Sequence, residues 1–217
     1  MTEFFSTIIS FALHIDVHLF ELVELYGPAI YVILFLIIFC ETGLVVTPFL
    51  PGDSLLFAIG TLAGAGKLNI VLAMLCLLSA AVLGDAVNYH IGRFLGPPVF
   101  ERNYRLLNKK HLRQAHDFYE RHGGKAIILA RFVPIVRTFA PFVAGVALMN
   151  RSRFFSFNVI GALLWVCLLT PLGFFFGNLE IVQKNFTLVI YLIIAISIMP
   201  MVVEVLRAKL RARKEQR

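Results

Sequence analysis

Residues 47–66 read TPFLPGDSLLFAIGTLAGAG, and residues 126–148 read AIILARFVPIVRTFAPFVAGVAL. Both stretches are apolar enough for lipid, yet both are broken. The first holds Pro48, Pro51, Gly52, Asp53, Gly60, Gly64 and Gly66; the second holds Arg131, Pro134, Arg137, Pro141 and Gly145. A proline deletes a backbone donor and clashes with the preceding turn. In hydrocarbon the freed carbonyls have no water, so broken backbone survives at depth only when buried in protein or lining a wet cavity. Each stretch therefore reads as a re-entrant helical hairpin that dips in and returns to its own side.

The rest of the chain supplies the membrane around them. Of 217 residues 59% are hydrophobic and 15% charged, with a mean hydropathy of +0.83. Soluble domains carry about a quarter charged residues, so a soluble enzyme and a disordered chain are both excluded. A crossing helix needs about 20 mostly apolar residues. Residues 28–46, 68–92, 154–177 and 186–203 qualify. The expected fold is an all-α polytopic membrane protein with about four spanning helices, the two opposed hairpins and amphipathic surface helices. Residues 1–26 hold no Lys or Arg, which argues against a cleaved signal. With Glu3, Asp16, Glu21 and Glu24 among apolar residues, they read as an amphipathic segment at the membrane surface. Residues 27–206 form a single membrane transport domain, and 207–217 a basic tail.

Charge sets the topology. Of 20 Lys and Arg only Lys67 precedes residue 93, so the net charge of +7 belongs to the later part of the chain. The loop from Arg93 to Lys125 carries eight basic residues against Glu101, Asp117 and Glu120, and the tail carries six. Both are cytoplasmic by the positive-inside rule, as are Arg151 and Arg153. The connection at 178–185 lies outside. Parity then places both termini in the cytoplasm. Within the basic loop, residues 108–122 read as a surface helix on anionic lipid, and nucleic acid is not an expected partner.

The two halves resemble each other. Phe49-Leu50-Pro51 is followed 43 residues later by Gly92-x-Phe94-x-Gly96, and Phe132-Val133-Pro134 is followed 41 residues later by Gly173-x-Phe175-x-Gly177. Repeat 1 spans about 47–96 and repeat 2 about 130–177. Opposite orientation makes them an inverted repeat, the layout in which transporters build midplane sites from discontinuous helices. Chance matches in a Phe-rich chain are the plainer alternative.

Four ionisable residues stand where charge is expensive: Glu41, Asp53, Arg131 and Arg137. At roughly 2.5–3.5 kcal/mol per central charge, leaving them unpaired costs on the order of 10–14 kcal/mol. They must face one another or a polar cavity, which makes them candidate substrate- and proton-binding residues. Arg keeps its charge and offers a planar fork suited to phosphate, whereas carboxyls can be neutralised by a proton. Plainer roles stay open: Asp53 as a helix cap, Glu41 snorkelling outward, and the arginines binding free carbonyls. Asp85, Asn88 and Tyr89 share one helix face and either line the cavity or anchor a helix end. Asn158 and Trp165 suit an interhelical hydrogen bond and aromatic packing. The three cysteines (Cys40, Cys76, Cys167) lack metal-ligand spacing and read as small core residues, and the six histidines offer only the pair His14 and His18. No metal site and no cofactor are expected. No nucleophile–base, P-loop or zinc-hydrolase motif is present, so no enzyme is expected.

Glu41-Thr42-Gly43-Leu44, Pro48 through Ser54, Gly84-Asp85 with Asn88-Tyr89 and Ile91-Gly92-Arg93, Ala130 through Pro134, Arg137 through Pro141, Ala144-Gly145, and Asn158, Gly161 and Trp165 resemble the bacterial DedA family of the SNARE-associated (VTT-domain) superfamily. The resemblance covers about residues 14–206. It implies a multi-pass protein of the bacterial inner membrane with two opposed re-entrant hairpins, related to eukaryotic lipid scramblases. Family members are assigned to proton-dependent transport, envelope maintenance and resistance to cationic agents, and some return undecaprenyl phosphate across the membrane. The family's functional acids fall on Glu41 and Asp53 and its functional arginines on Arg131 and Arg137. Asp85, Asn88 and Asn158 are secondary cavity candidates. The expected function is a proton-coupled flippase for an anionic lipid headgroup, undecaprenyl phosphate or a phospholipid. The alternatives are a proton-dependent exporter of small cations and a non-transport assembly factor. Expected partners are anionic membrane lipids and protons, and a homo-oligomer is left open.

Overall fold

The computed structural model describes residues 22–44, 52–101 and 123–180, with positions 182 and 192. Several expectations lie outside these: the surface segment up to residue 21 with its histidine pair, the 45–51 tip, the 108–122 helix, the 186–203 span apart from helical Leu192, and the tail. Six α-helices lie wholly within the described residues, which contain no strand: α1 (Ile30–Gly43), α2 (Gly52–Gly64), α3 (Ile70–Glu101), α4 (Lys125–Ala130), α5 (Pro134–Val146) and α6 (Arg151–Phe176). Three helical runs, Leu22–Gly43, Ile70–Leu95 and Arg151–Phe176, are long and apolar enough to cross a membrane. At 1.5 Å per residue the 13-residue α2 and α5 are about 20 Å long, short of the roughly 30 Å hydrocarbon core.

Side-chain pattern explains how the helices face one another. Along α1 the buried residues Ile30, Leu34 and Ile38 recur every fourth position, and Glu41 and Thr42 continue that stripe into the interior. α2 is buried over nearly its whole length. It packs along the second half of α6, where a Cβ on Gly60 would strike the Thr170 carbonyl and one on Gly173 the Phe57 carbonyl. α5 packs along α3 in the same manner: a Cβ on Gly145 would strike the Tyr89 carbonyl, and one on Gly92 the Phe142 carbonyl. In each pair one glycine sits three residues after the carbonyl that its partner glycine approaches. Backbones this close favour dispersion contact between helices that lipid cannot drive together.

The helix ends repeat too. Gly66 (φ +74°) closes α2, with Lys67 N donating to the Leu62 carbonyl (2.9 Å) and Gly66 N to that of Ala63 (3.1 Å). Leu148 (φ +56°) closes α5 through Met149 N to Ala144 (3.0 Å) and Leu148 N to Gly145 (3.0 Å). Both are the left-handed C-terminal motif that normally takes glycine. Each is followed by an asparagine cap. Asn69 accepts from Val71 N and Leu72 N at the start of α3, and Asn150 from Arg153 N at the start of α6. The backbone motif therefore recurs where glycine is replaced by leucine and the sequence match is lost.

Contacts order the chain along the bundle. α1 and α3 run in the same direction: Cys76 bonds the Tyr31 carbonyl, and a Cβ on Gly43 would lie 3.4 Å from Cα of Gly84, half-way along α3. The chain goes in along α1 and comes back along α2, since Lys67 pairs with Glu24 at 2.9 Å. At the opposite end, Gly123 lies against Arg153, the chain goes in along α4 to Arg131, and α5 brings it back to Met149 beside Arg93. The helical run Leu22–Gly43, which is long and apolar enough to cross, covers most of the expected crossing helix at 28–46, and its end lies beside Gly84, half-way along α3.

Proline breaks less backbone than its chemistry suggests, since α5 runs through Pro141 and α6 through Pro171. The break in the second hairpin falls instead at Arg131–Val133, just before Pro134 at the first turn of α5. Cys40 and Cys76 are partly buried, but Cys167 is exposed on α6, so it is not a core residue.

Candidate functional site

The charged residues converge where the two arms of each hairpin reverse. Glu41 ends α1 and Asp53 starts α2, Arg131 follows α4, and Arg137 occupies the second turn of α5. Arg137 donates one Nη to Glu41 (2.6 Å) and the other to Asp53 (2.7 Å). Glu41 also accepts from Gly52 N (3.2 Å). A Cβ on Gly52 would lie 2.6 Å from Glu41 Oε1, so only glycine lets the carboxylate sit against the first backbone donor of α2. That donor end favours a negative group.

Arg131 does not join this pair of acids. It bonds Asp85 on α3 and the Asn158 amide oxygen on α6 (2.6 Å). Gly161, one turn beyond Asn158, lies against it, a Cβ there falling 3.4 Å from Arg131 Nε. Asn158 also donates to the Val82 carbonyl (3.0 Å), tying α6 to α3. Trp165 stands between the two units. Its Nε1 donates to Asp53 (2.8 Å), and the guanidinium carbons of Arg137 and Arg131 lie 4.8 and 5.8 Å from its ring. Both separations are within cation–π range.

The four primary candidates thus come together, but with different partners than two acids facing two arginines. Arg137 takes both acids, and Asp85 takes Arg131. Glu41, Asp85, Arg131 and Arg137 are all less than 5% exposed, whereas the Asp53 side chain is 16% exposed. Glu41 therefore does not snorkel. Asn88 bridges the hairpins by donating to the Thr42 carbonyl (3.0 Å) and the Thr138 carbonyl (2.7 Å). Tyr89 stacks on Phe154 and bonds Arg93 and the Met149 carbonyl, which fastens the far end of the second hairpin.

Trp165 was read as packing, and its place between two guanidiniums was missed. The available signal was the chain's single tryptophan, whose indole N–H on a largely apolar span must find a partner when buried.

Three carboxyls face two guanidiniums, so the cluster carries a net −1 with every group ionised. Pairing is also incomplete. Glu41 Oε2, Asp85 Oδ1, Arg131 Nη1 and Arg137 Nε are buried with no hydrogen-bond partner among the described residues. Unsatisfied buried groups are costly in a structural network. Here both acids and both arginines keep capacity for a further ligand, and the arginines present donors that suit an anion.

Comparison with known proteins agrees with this architecture. The family model of the VTT domain matches residues 50–175. Protein DedA of Escherichia coli K12 is 58% identical over 205 residues, covering 93% of this chain and 94% of that protein. Inner membrane protein YqjA of the same organism is 40% identical over 156 residues, 71% of each chain. An uncharacterized membrane protein of Mycobacterium tuberculosis is 40% identical over 192 residues, 87% of this chain and 84% of that protein. No solved structure matches. The long apolar helices, the all-helical fold and a match over more than half the chain converge, and this multi-pass membrane protein belongs to the VTT-domain (DedA) family.

Proposed function

We propose that the chain is a proton-coupled membrane transporter that moves an anionic lipid headgroup, and that its two broken segments are opposed re-entrant hairpins of an inverted repeat. The observation that carries the reading is Arg137 held by Glu41 and Asp53 in the interior, half-way along α3. Arg131 and Arg137 bind the phosphate while the acyl or prenyl chain stays in lipid. Ionised, the acids compete for the arginines; protonated, they release them. Proton binding and headgroup binding are thereby linked, and each hairpin opens the site to its own face. On this reading α1 is the ingoing arm of the first hairpin and not a crossing helix. The end bearing Arg93, Lys125, Arg151 and Arg153 is then cytoplasmic, and the end bearing Glu24, Lys67 and Glu180 faces outward, opposite to the N-terminal side that a crossing at 28–46 gives. The setting is the bacterial inner membrane, the site needs no cofactor, and undecaprenyl phosphate or a phospholipid is the cargo.

The test is transport of labelled polyprenyl phosphate and common phospholipids in liposomes, with and without a pH gradient. Arg131→Ala and Arg137→Ala variants that still insert are expected to lose transport. Movement at the wild-type rate refutes the phosphate clamp. The excess of one acid over the arginines favours a second reading, proton-dependent export of small cations. It requires Asp53→Asn to abolish cation-stimulated proton flux when no lipid substrate is present.

A further inference from the structure

The buried charges divide into two units. Protonating Glu41 and Asp53 frees Arg137, but neither carboxylate holds Arg131, which stays bonded to Asp85 and Asn158. Asp85 is 2% exposed, and among the described residues neither its Oδ1 nor Nη1 of the arginine facing it has a hydrogen-bond partner. A carboxylate that served only to fasten α3 to its neighbours would be expected to have both oxygens satisfied. The groups facing Asp85 are Arg131 from the end of α4 and Asn158 beside it on α6, with Arg137 on α5 beyond them. The acids on α1 and α2, Glu41 and Asp53, lie behind Arg137.

We propose that Asp85 is a third proton-binding carboxylate of the site, and that it is the counter-ion Arg131 must leave to take a headgroup. This rests on the transport reading. The cluster then has net charge −1 with all carboxyls ionised, +1 with Glu41 and Asp53 protonated, and +2 once Asp85 is protonated too. Only the last state frees both arginines. A hydronium proton passes to an Asp85 carboxylate oxygen as its ion pair with Arg131 opens: one O–H bond breaks in the hydronium, one forms on Asp85, and water is left. Asp85 is a positioning residue for Arg131 rather than a phosphate ligand.

The test uses the full chain in vesicles of zwitterionic phospholipid. Infrared difference spectra between acid and alkaline pH detect each carboxyl that takes up a proton. Asp85→Asn is expected to remove one protonated-carboxyl contribution, and Asp85→Glu to restore it at a shifted frequency. A merely structural Asp85 stays ionised and its replacement leaves the carboxyl band unchanged, which overturns the proposal. If Asp85→Asn does not insert, the paired variant Asp85→Asn/Arg131→Gln removes the unit without changing the net charge, and the same loss of one contribution is expected. Adding polyprenyl phosphate separates the two levels. Lipid-induced proton uptake that falls by about one proton in the variant supports both. Uptake unchanged by the variant overturns the role of Asp85 alone. The infrared loss with no lipid-induced uptake in the wild type supports the role of Asp85 and refutes the lipid cargo.

Discussion

Replacing Arg137 with methionine tests whether the buried pairs are interdependent. The substitution roughly keeps volume but leaves two carboxylates without their shared cation. Breaking a buried ion pair by removing one partner costs about 3–5 kcal/mol, because the remaining charge is uncompensated. The two acids do not bear this equally. Asp53 keeps the Trp165 Nε1 bond (2.8 Å) and is 16% exposed at its side chain. Glu41 keeps one longer bond, from Gly52 N (3.2 Å), and is 1% exposed. Most of the loss therefore sits on Glu41. The double variant Arg137→Met/Glu41→Gln is expected to recover more than half of it, and Arg137→Met/Asp53→Asn clearly less. The assay is denaturant unfolding in mixed micelles, run as two double-mutant cycles on the shared arginine. Equal rescue by both acids, or an Arg137→Met variant within about 1 kcal/mol of wild type, refutes the assignment of Glu41 as the more deeply buried partner.

Other substitutions probe the frame around the site. Leu148→Gly is expected to stabilise the chain by about 1 kcal/mol, since Leu148 holds φ +56° where its counterpart Gly66 is strain-free; a fall in melting temperature contradicts this. Gly60→Leu and Gly145→Leu each drive a side chain into a backbone carbonyl that cannot move aside, and are expected to cost more than about 3 kcal/mol and abolish the folded fraction in detergent. Asn88→Leu removes the donor that ties the Thr42 carbonyl to that of Thr138 and is expected to cost about 1–3 kcal/mol, measured by the same unfolding assay. Trp165 is the sole tryptophan, so its emission reports the site directly. It is expected to change when polyprenyl phosphate displaces either guanidinium, and a spectrum insensitive to saturating lipid contradicts headgroup binding beside the ring.

Much of this protein was legible without coordinates. Composition alone placed it in lipid, because 15% charged residues cannot cover a soluble surface. Glu41, Asp53, Arg131 and Arg137 stood out because an unpaired charge in hydrocarbon is too costly to persist. Pairing and direction were not legible. That Arg137 takes both acids while Arg131 goes to Asp85 depends on which faces of α1, α2, α3, α5 and α6 meet at the end of α4, and those faces lie far apart in sequence. That α1 ends beside Gly84, half-way along α3, depends on the two helices running together, which hydropathy cannot encode. Local physics decides where charge may sit and where backbone must break. Only packing decides which charges meet, because partners are chosen by the geometry of close helix approach.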